Sequence, residues 1–126
     1  REEELGEAAV CQVVLNEGLE QIDSRAFRST TALEEVVIPS TVKEIATSTF
    51  YDSGVVNVTL PEGLTTIFSY AFENGQFEEI EIPDSVYYLG NSVFSGCKKL
   101  NNIENLLSYI IRIFFIIASR ISNLFN

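Results

Sequence analysis

The chain contains no histidine and no methionine. Without histidine there is no Ser–His or Cys–His nucleophile pair, and no imidazole to hold a metal. Without methionine, a start at Arg1 reads as a piece of a longer protein or a processed product. The opening REEELGE is acidic and lacks the apolar stretch of a signal peptide. Cysteine is scarce: Cys11 and Cys97 are the only two, too few for a disulfide framework, and neither lies in a CxxC pair. Basic residues are outnumbered, 8 against 18 acids, for a net charge of −10. A field of that sign repels phosphate backbones and argues against a nucleic-acid partner. No glycine-rich loop of P-loop spacing occurs, and no EF-hand spacing, so no cofactor is implied. What is present is apolar: 46% of 126 residues, enough for one domain with a modest core and too much for a disordered tail.

The apolar residues recur. LNEGLEQIDSRAF at 15–27 is followed by IPSTVKEIATSTF at 38–50, LPEGLTTIFSYAF at 60–72 and IPDSVYYLGNSVF at 82–94. Leu15, Ile38, Leu60 and Ile82 stand 23, 22 and 22 apart. Phe27, Phe50, Phe72 and Phe94 keep the same intervals, as do Ile22, Ile45, Ile67 and Leu89, and Leu19, Val42, Leu64 and Val86. Val13, Val36, Val58, Ile80 and Ile103 make a fifth column, and Val10, Leu33, Val55, Phe77 and Leu100 a sixth. A period in the low twenties is the signature of a solenoid with one short strand per turn, because one unit cannot bury its apolar columns without neighbours. EVVIP, NVTLP and EIEIP alternate as half-buried strands do, and Pro39, Pro61 and Pro83 end them. A turn and a brief extended stretch follow (LEQI, VKEI, LTTI, VYYL). Ser24, Thr47, Ser69 and Asn91 then share one column of good N-cap residues, which predicts a short helical turn that buries the Phe three residues on. Cys11 and Cys97 fall four rungs apart, roughly 19 Å at one strand spacing per rung, so no internal disulfide is expected.

This pattern resembles the leucine-rich repeats of the BspA-like (treponemal-type) class. IPDSVYYLGNSVFSGCKKL at 82–100 carries the likeness best, and it extends over about 10–104. It implies a leucine-rich-repeat solenoid with a short parallel strand and a short helical turn per 22–23-residue repeat. The organisation expected is an acidic lead-in at 1–9, the solenoid at 10–104 as about four repeats plus a fifth strand, and an apolar C-terminal helix at 105–126. The departures are local. The class glycine after the Ile survives only as Gly90; Asp23, Ala46 and Phe68 replace it, which makes a positive φ less favourable there. Asn16 stands where Pro is usual, and Cys97 alone keeps the loop cysteine. The resemblance implies protein binding or adhesion and supplies no catalytic residues.

Solenoids recognise partners through strand residues that point away from the core. Two outward columns result: Gln12, Glu35, Asn57, Glu79 and Asn102, and Val14, Val37, Thr59, Glu81 and Glu104. Together they form a polar, mildly acidic strip that suits a basic or polar protein surface; a plain solvated sheet face gives the same pattern. Glu79 and Glu81 share one face but lack the further oxygen ligands that calcium takes. Asn57-Val58-Thr59 is a glycosylation sequon, relevant to a chain secreted by a eukaryote.

The tail, NLLSYIIRIFFIIASRISNLFN at 105–126, differs in kind: it has no Pro, Gly or acid. Ser108, Arg112, Ser119 and Asn123 are spaced to share one helical face. Three readings fit. The tail caps the open end of the stack; or 106–125 enters a membrane, against the cost of Arg112; or the segment is not native to the repeat protein. An apolar helix on a small solenoid would also favour self-association. The leading expectation is a non-enzymatic protein-interaction module. The alternative is a cell-surface or adhesion fragment held at a membrane by the tail.

Overall fold

The computed structural model describes residues 12–101 and Phe114. Six short strands occur in chain order: β1 (Gln12–Val14), β2 (Glu35–Val37), β3 (Glu44–Ile45), β4 (Asn57–Thr59), β5 (Thr66–Ile67) and β6 (Tyr88–Leu89). They form two parallel sheets, β1-β2-β4 and β3-β5-β6. The register follows the repeat: Val13 pairs with Val36 and Val36 with Val58, while Ile45 pairs with Ile67 and Ile67 with Leu89. The strand offsets follow the repeat spacings of 23 and 22 residues, and a one-residue slip would turn an apolar column outward. The second sheet is what the brief extended stretches become once stacked.

The core is the set of repeated columns. Leu33, Val36, Val42, Ile45, Phe50, Val55, Leu64, Ile67, Phe72, Phe77 and Val86 are buried. The first described rung is less covered: Leu19 is 36% exposed where Val42, Leu64 and Val86 are 0%. The Phe column is a stack of near-parallel rings. Centroid separations are 5.3 Å for Phe27–Phe50, 5.4 Å for Phe50–Phe72 and 6.1 Å for Phe72–Phe94. Rungs about 4.8 Å apart allow only offset stacking, the arrangement that aromatic quadrupoles favour. Phe77 closes the column edge-on to Phe72 and Phe94.

Two expectations are corrected. No helical turn starts at Ser24, Thr47, Ser69 or Asn91; residues 24–29, 47–52, 69–74 and 91–96 are runs of consecutive turns. Their amides divide the bonding. Thr49 and Tyr51 donate back three residues, to Ala46 and Ser48, while Ser48, Phe50 and Asp52 donate to Ser69, Ala71 and Glu73 of the next rung. A helix would keep its amides within the rung and leave the facing carbonyls unpaired. Positive φ repeats through these runs at Arg25, Ser48, Tyr70 and Ser92, and again at Ser29, Asp52, Asn74 and Gly96. The column of Gly90 is not where φ turns positive. Gly90 instead permits close approach, since a Cβ there would lie 2.5 Å from the Ser69 nitrogen. The second correction is 79–81, expected as a strand and not one here. Its alternation survives, with Ile80 and Ile82 buried and Glu79 and Glu81 exposed, because an extended chain turns successive side chains to opposite sides. Ile103, assigned to the fifth strand, and the tail helix at 105–126 lie outside the described residues apart from Phe114.

The turn after each first-sheet strand tolerates Asn16 in place of Pro. Leu19 N–H donates to Asn16 at 3.2 Å, as Val42, Leu64 and Val86 do to Pro39, Pro61 and Pro83 at 3.1 Å. Gly18 and Gly63 take φ of 98° and 95° in these turns, a conformation only glycine adopts cheaply. Thr41 Oγ1 accepts from Gly18 N–H at 3.1 Å and donates to the Leu19 carbonyl at 2.5 Å. Ser85 Oγ repeats this between Gly63 N–H, at 2.9 Å, and the Leu64 carbonyl, at 2.6 Å.

Candidate functional site

The outward face of the first sheet is built by alternation on β1, β2 and β4. Val13, Val36 and Val58 turn inward, so their neighbours must face out. The register aligns Gln12, Glu35 and Asn57 in one column and Val14, Val37 and Thr59 in the next. All six are exposed, Val14 at 75% and Val37 at 49%. Glu79 and Glu81 are also exposed, on the extended rung beyond β4. Asn102 and Glu104 lie outside the described residues. The strip therefore runs from apolar at Val14 and Val37 to acidic at Glu79 and Glu81. Asn57 and Thr59 of the sequon are both on this face.

Chemistry that needs convergent ligands is not found here. Among the described residues, no group of three or more His, Cys, Asp and Glu is placed to hold a metal ion. Cys97 is a free thiol that donates to the Phe72 carbonyl at 3.1 Å. Burial pushes its pKa up, with the Glu73 carboxylate adding to the shift and the Gly75 and Asn74 amides opposing it, so it is a packed residue rather than a ready nucleophile. Cys11 lies outside the described residues. Among the described residues no helix is long and apolar enough to cross a membrane. The proposed membrane segment at 106–125 falls outside those residues except for Phe114, which is exposed.

Other surface features escape column reading. Tyr70, Tyr87 and Tyr88 are 42%, 55% and 48% exposed, and Tyr88 packs at a tilt on Phe68 with centroids 5.9 Å apart. The stretch VYYL holds the signal: with Val86 and Leu89 in apolar columns, the two tyrosines between them are left to the surface.

A BspA type leucine rich repeat region matches residues 8–116 in six copies. The chain belongs to the BspA-type leucine-rich-repeat family. Solved structures agree with the assignment. A leucine rich cell surface protein from Faecalibacterium prausnitzii is 34% identical with a TM-score of 0.65, over 68% of this chain and 23% of that one. A leucine-rich repeat protein from Bacteroides ovatus is 31% identical with a TM-score of 0.68, over 76% and 25%. The leucine rich repeat protein of T. pallidum, 24% identical with a TM-score of 0.55 over 72% and 56%, shows the shared fold. No curated protein gave a match. This BspA-type chain thus spans about a quarter of the length of the first two proteins it matches. BspA-type repeats explain why the apolar columns, and not a catalytic constellation, dominate the sequence.

Proposed function

We propose that the chain is a non-enzymatic protein-recognition module, a stretch of leucine-rich-repeat solenoid that binds through the strip on its first sheet. The observation that carries this reading is the in-register exposure of Gln12, Glu35 and Asn57 beside Val14, Val37 and Thr59, continued by Glu79 and Glu81. Two exposed Val give apolar contact and the carboxylates select a basic or polar partner. Asn102 and Glu104 extend the same columns in sequence. A stable protein interface takes about 20–30 residues a side, more than the eight described here, so affinity grows with the number of stacked rungs. The test is peptide display against the immobilised chain. Selected peptides should be rich in Lys and Arg, and should lose binding to the variant carrying Glu35→Ala, Glu79→Ala and Glu81→Ala. Peptides that bind the variant equally well would place recognition elsewhere.

The F. prausnitzii relative is a cell surface protein, which supports a second reading, a surface or adhesion fragment held at a membrane by the 106–125 segment. A detergent requirement that disappears on deleting 106–126 would favour it. A soluble monomer with the tail intact would count against both the anchor and self-association through the tail.

A further inference from the structure

The turn runs carry a second surface, separate from the strip. Residues 25, 48 and 70 form one column of the runs, and residues 28, 51 and 73 another. Across three rungs these columns hold Arg25, Ser48 and Tyr70 beside Arg28, Tyr51 and Glu73, and they line one open groove of about 430 Å³. Small-molecule sites run from about 300 to 1,000 Å³, so the groove has the volume of one. Its charge runs against that of the molecule. The described residues include only five Lys and Arg, namely Arg25, Arg28, Lys43, Lys98 and Lys99, and two of them are here. The Arg28 guanidinium already lies over the Tyr51 ring, 5.3 Å from its centroid, an arrangement that fixes the fork and keeps its outer N–H groups available. Tyr70 sits at the positive-φ position of its rung and is 42% exposed.

The mixture of groups narrows the ligand. Two guanidiniums recognise a planar carboxylate by paired hydrogen bonds. A phenol ring offers a flat apolar platform with a polar tip. Glu73 at the far end repels a purely acidic ligand, yet accepts hydrogen bonds from hydroxyl groups. A ligand that satisfies all three carries a carboxylate, a ring and hydroxyls on one small frame. We propose that this groove binds a carboxylated saccharide: Arg25 and Arg28 take the carboxylate, Tyr70 stacks on the sugar ring, and Glu73 accepts from the sugar hydroxyls.

The test is an NMR titration of the full chain with three probes: a uronic-acid tetrasaccharide, a neutral glucose tetrasaccharide and a hexaglutamate peptide. The uronate should give saturable shifts at the Tyr51 and Tyr70 amides and bind about tenfold or more tighter than the neutral sugar, the gain of a paired carboxylate contact. Arg25→Asn with Arg28→Gln should remove that preference, and Tyr70→Ala should weaken both sugars. The Glu35→Ala, Glu79→Ala, Glu81→Ala strip variant should bind the uronate unchanged, which keeps this site distinct from the strip. Asn is chosen at position 25 because it tolerates positive φ, and an unchanged amide spectrum elsewhere shows that the variant is folded. Hexaglutamate binding as tightly as uronate through the same arginines would make the groove an acidic-peptide site and overturn the proposal. So would uronate binding that survives the double arginine variant, or no saturable shift with any probe.

Discussion

Thr41 and Ser85 each hold two backbone groups of the preceding rung with one hydroxyl. Their turns sit at the edge of the core, where a lost partner exposes an amide and a carbonyl together. Thr41→Ala and Ser85→Ala should each cost about 1 kcal/mol, near the net worth of a hydrogen bond and below the cost of a core cavity. Urea denaturation measures this, and Thr41→Val, which keeps the shape without the hydroxyl, should cost about as much. Glu17 provides a second link between the same two rungs. Its carboxylate accepts from Ser40 Oγ at 2.7 Å and from Ser40 N–H at 3.1 Å. The side-chain bond from Ser40, then its backbone bond, hold the Glu17 pKa below the ordinary carboxylate value. A depressed pKa contributes stability that is present above the unfolded-state pKa and is lost as pH falls through the folded one. Glu17→Gln should therefore flatten the acid limb of a stability-against-pH curve and leave its alkaline limb unchanged. An identical acid limb in the variant would show that the pair contributes nothing.

The turn run is the element that distinguishes this stack from a helix-backed one. Its alternating amides sew each rung to the next, and the price is left-handed backbone at non-glycine residues such as Ser48, with φ of 57°. Ser48→Gly relieves that strain and should be neutral or stabilising by up to about 1 kcal/mol, whereas the β-branched Ser48→Val should cost about 1–3 kcal/mol. Equal melting temperatures for the two variants would refute the assignment. The run also shows why sequence reading stopped where it did. Ser24, Thr47, Ser69 and Asn91 have side chains that suit both N-caps and turns, and local preference does not separate the two. What decides is bonding between residues a full repeat apart, such as Phe50 N–H to Ala71 at 2.9 Å. The outward exposure of Gln12, Glu35 and Asn57 was legible by contrast, because alternation about Val13, Val36 and Val58 fixes it within a few residues. The arginine–tyrosine groove was not, since Arg25, Ser48 and Tyr70 share a column but no chemistry.

At the scale of the molecule, each rung is stabilised by its neighbours and end rungs by one side only. Phe50 is fully buried between the rings of Phe27 and Phe72, and Phe27 is only partly buried. Phe50→Ala should cost about 3–5 kcal/mol, and Phe27→Ala should cost less. Hydrogen exchange should follow the same gradient: the Phe50 amide, bonded across to Ala71, should exchange more slowly than the Phe27 amide, bonded across to Thr49. Uniform protection from Phe27 to Phe72 would show instead that the stack opens as one unit.

The junctions at Gly18 and Gly63 have a parity. In chain order the rungs present a glycine turn, a hydroxyl turn, a glycine turn and a hydroxyl turn, and each hydroxyl reaches back to a glycine. The apolar columns repeat every rung, but this polar seam repeats every second one. Duplicating or deleting one internal rung would therefore bring two glycine turns or two hydroxyl turns together, while duplicating or deleting two adjacent rungs would keep the alternation. The unit in which this chain can be duplicated without a fault is the pair.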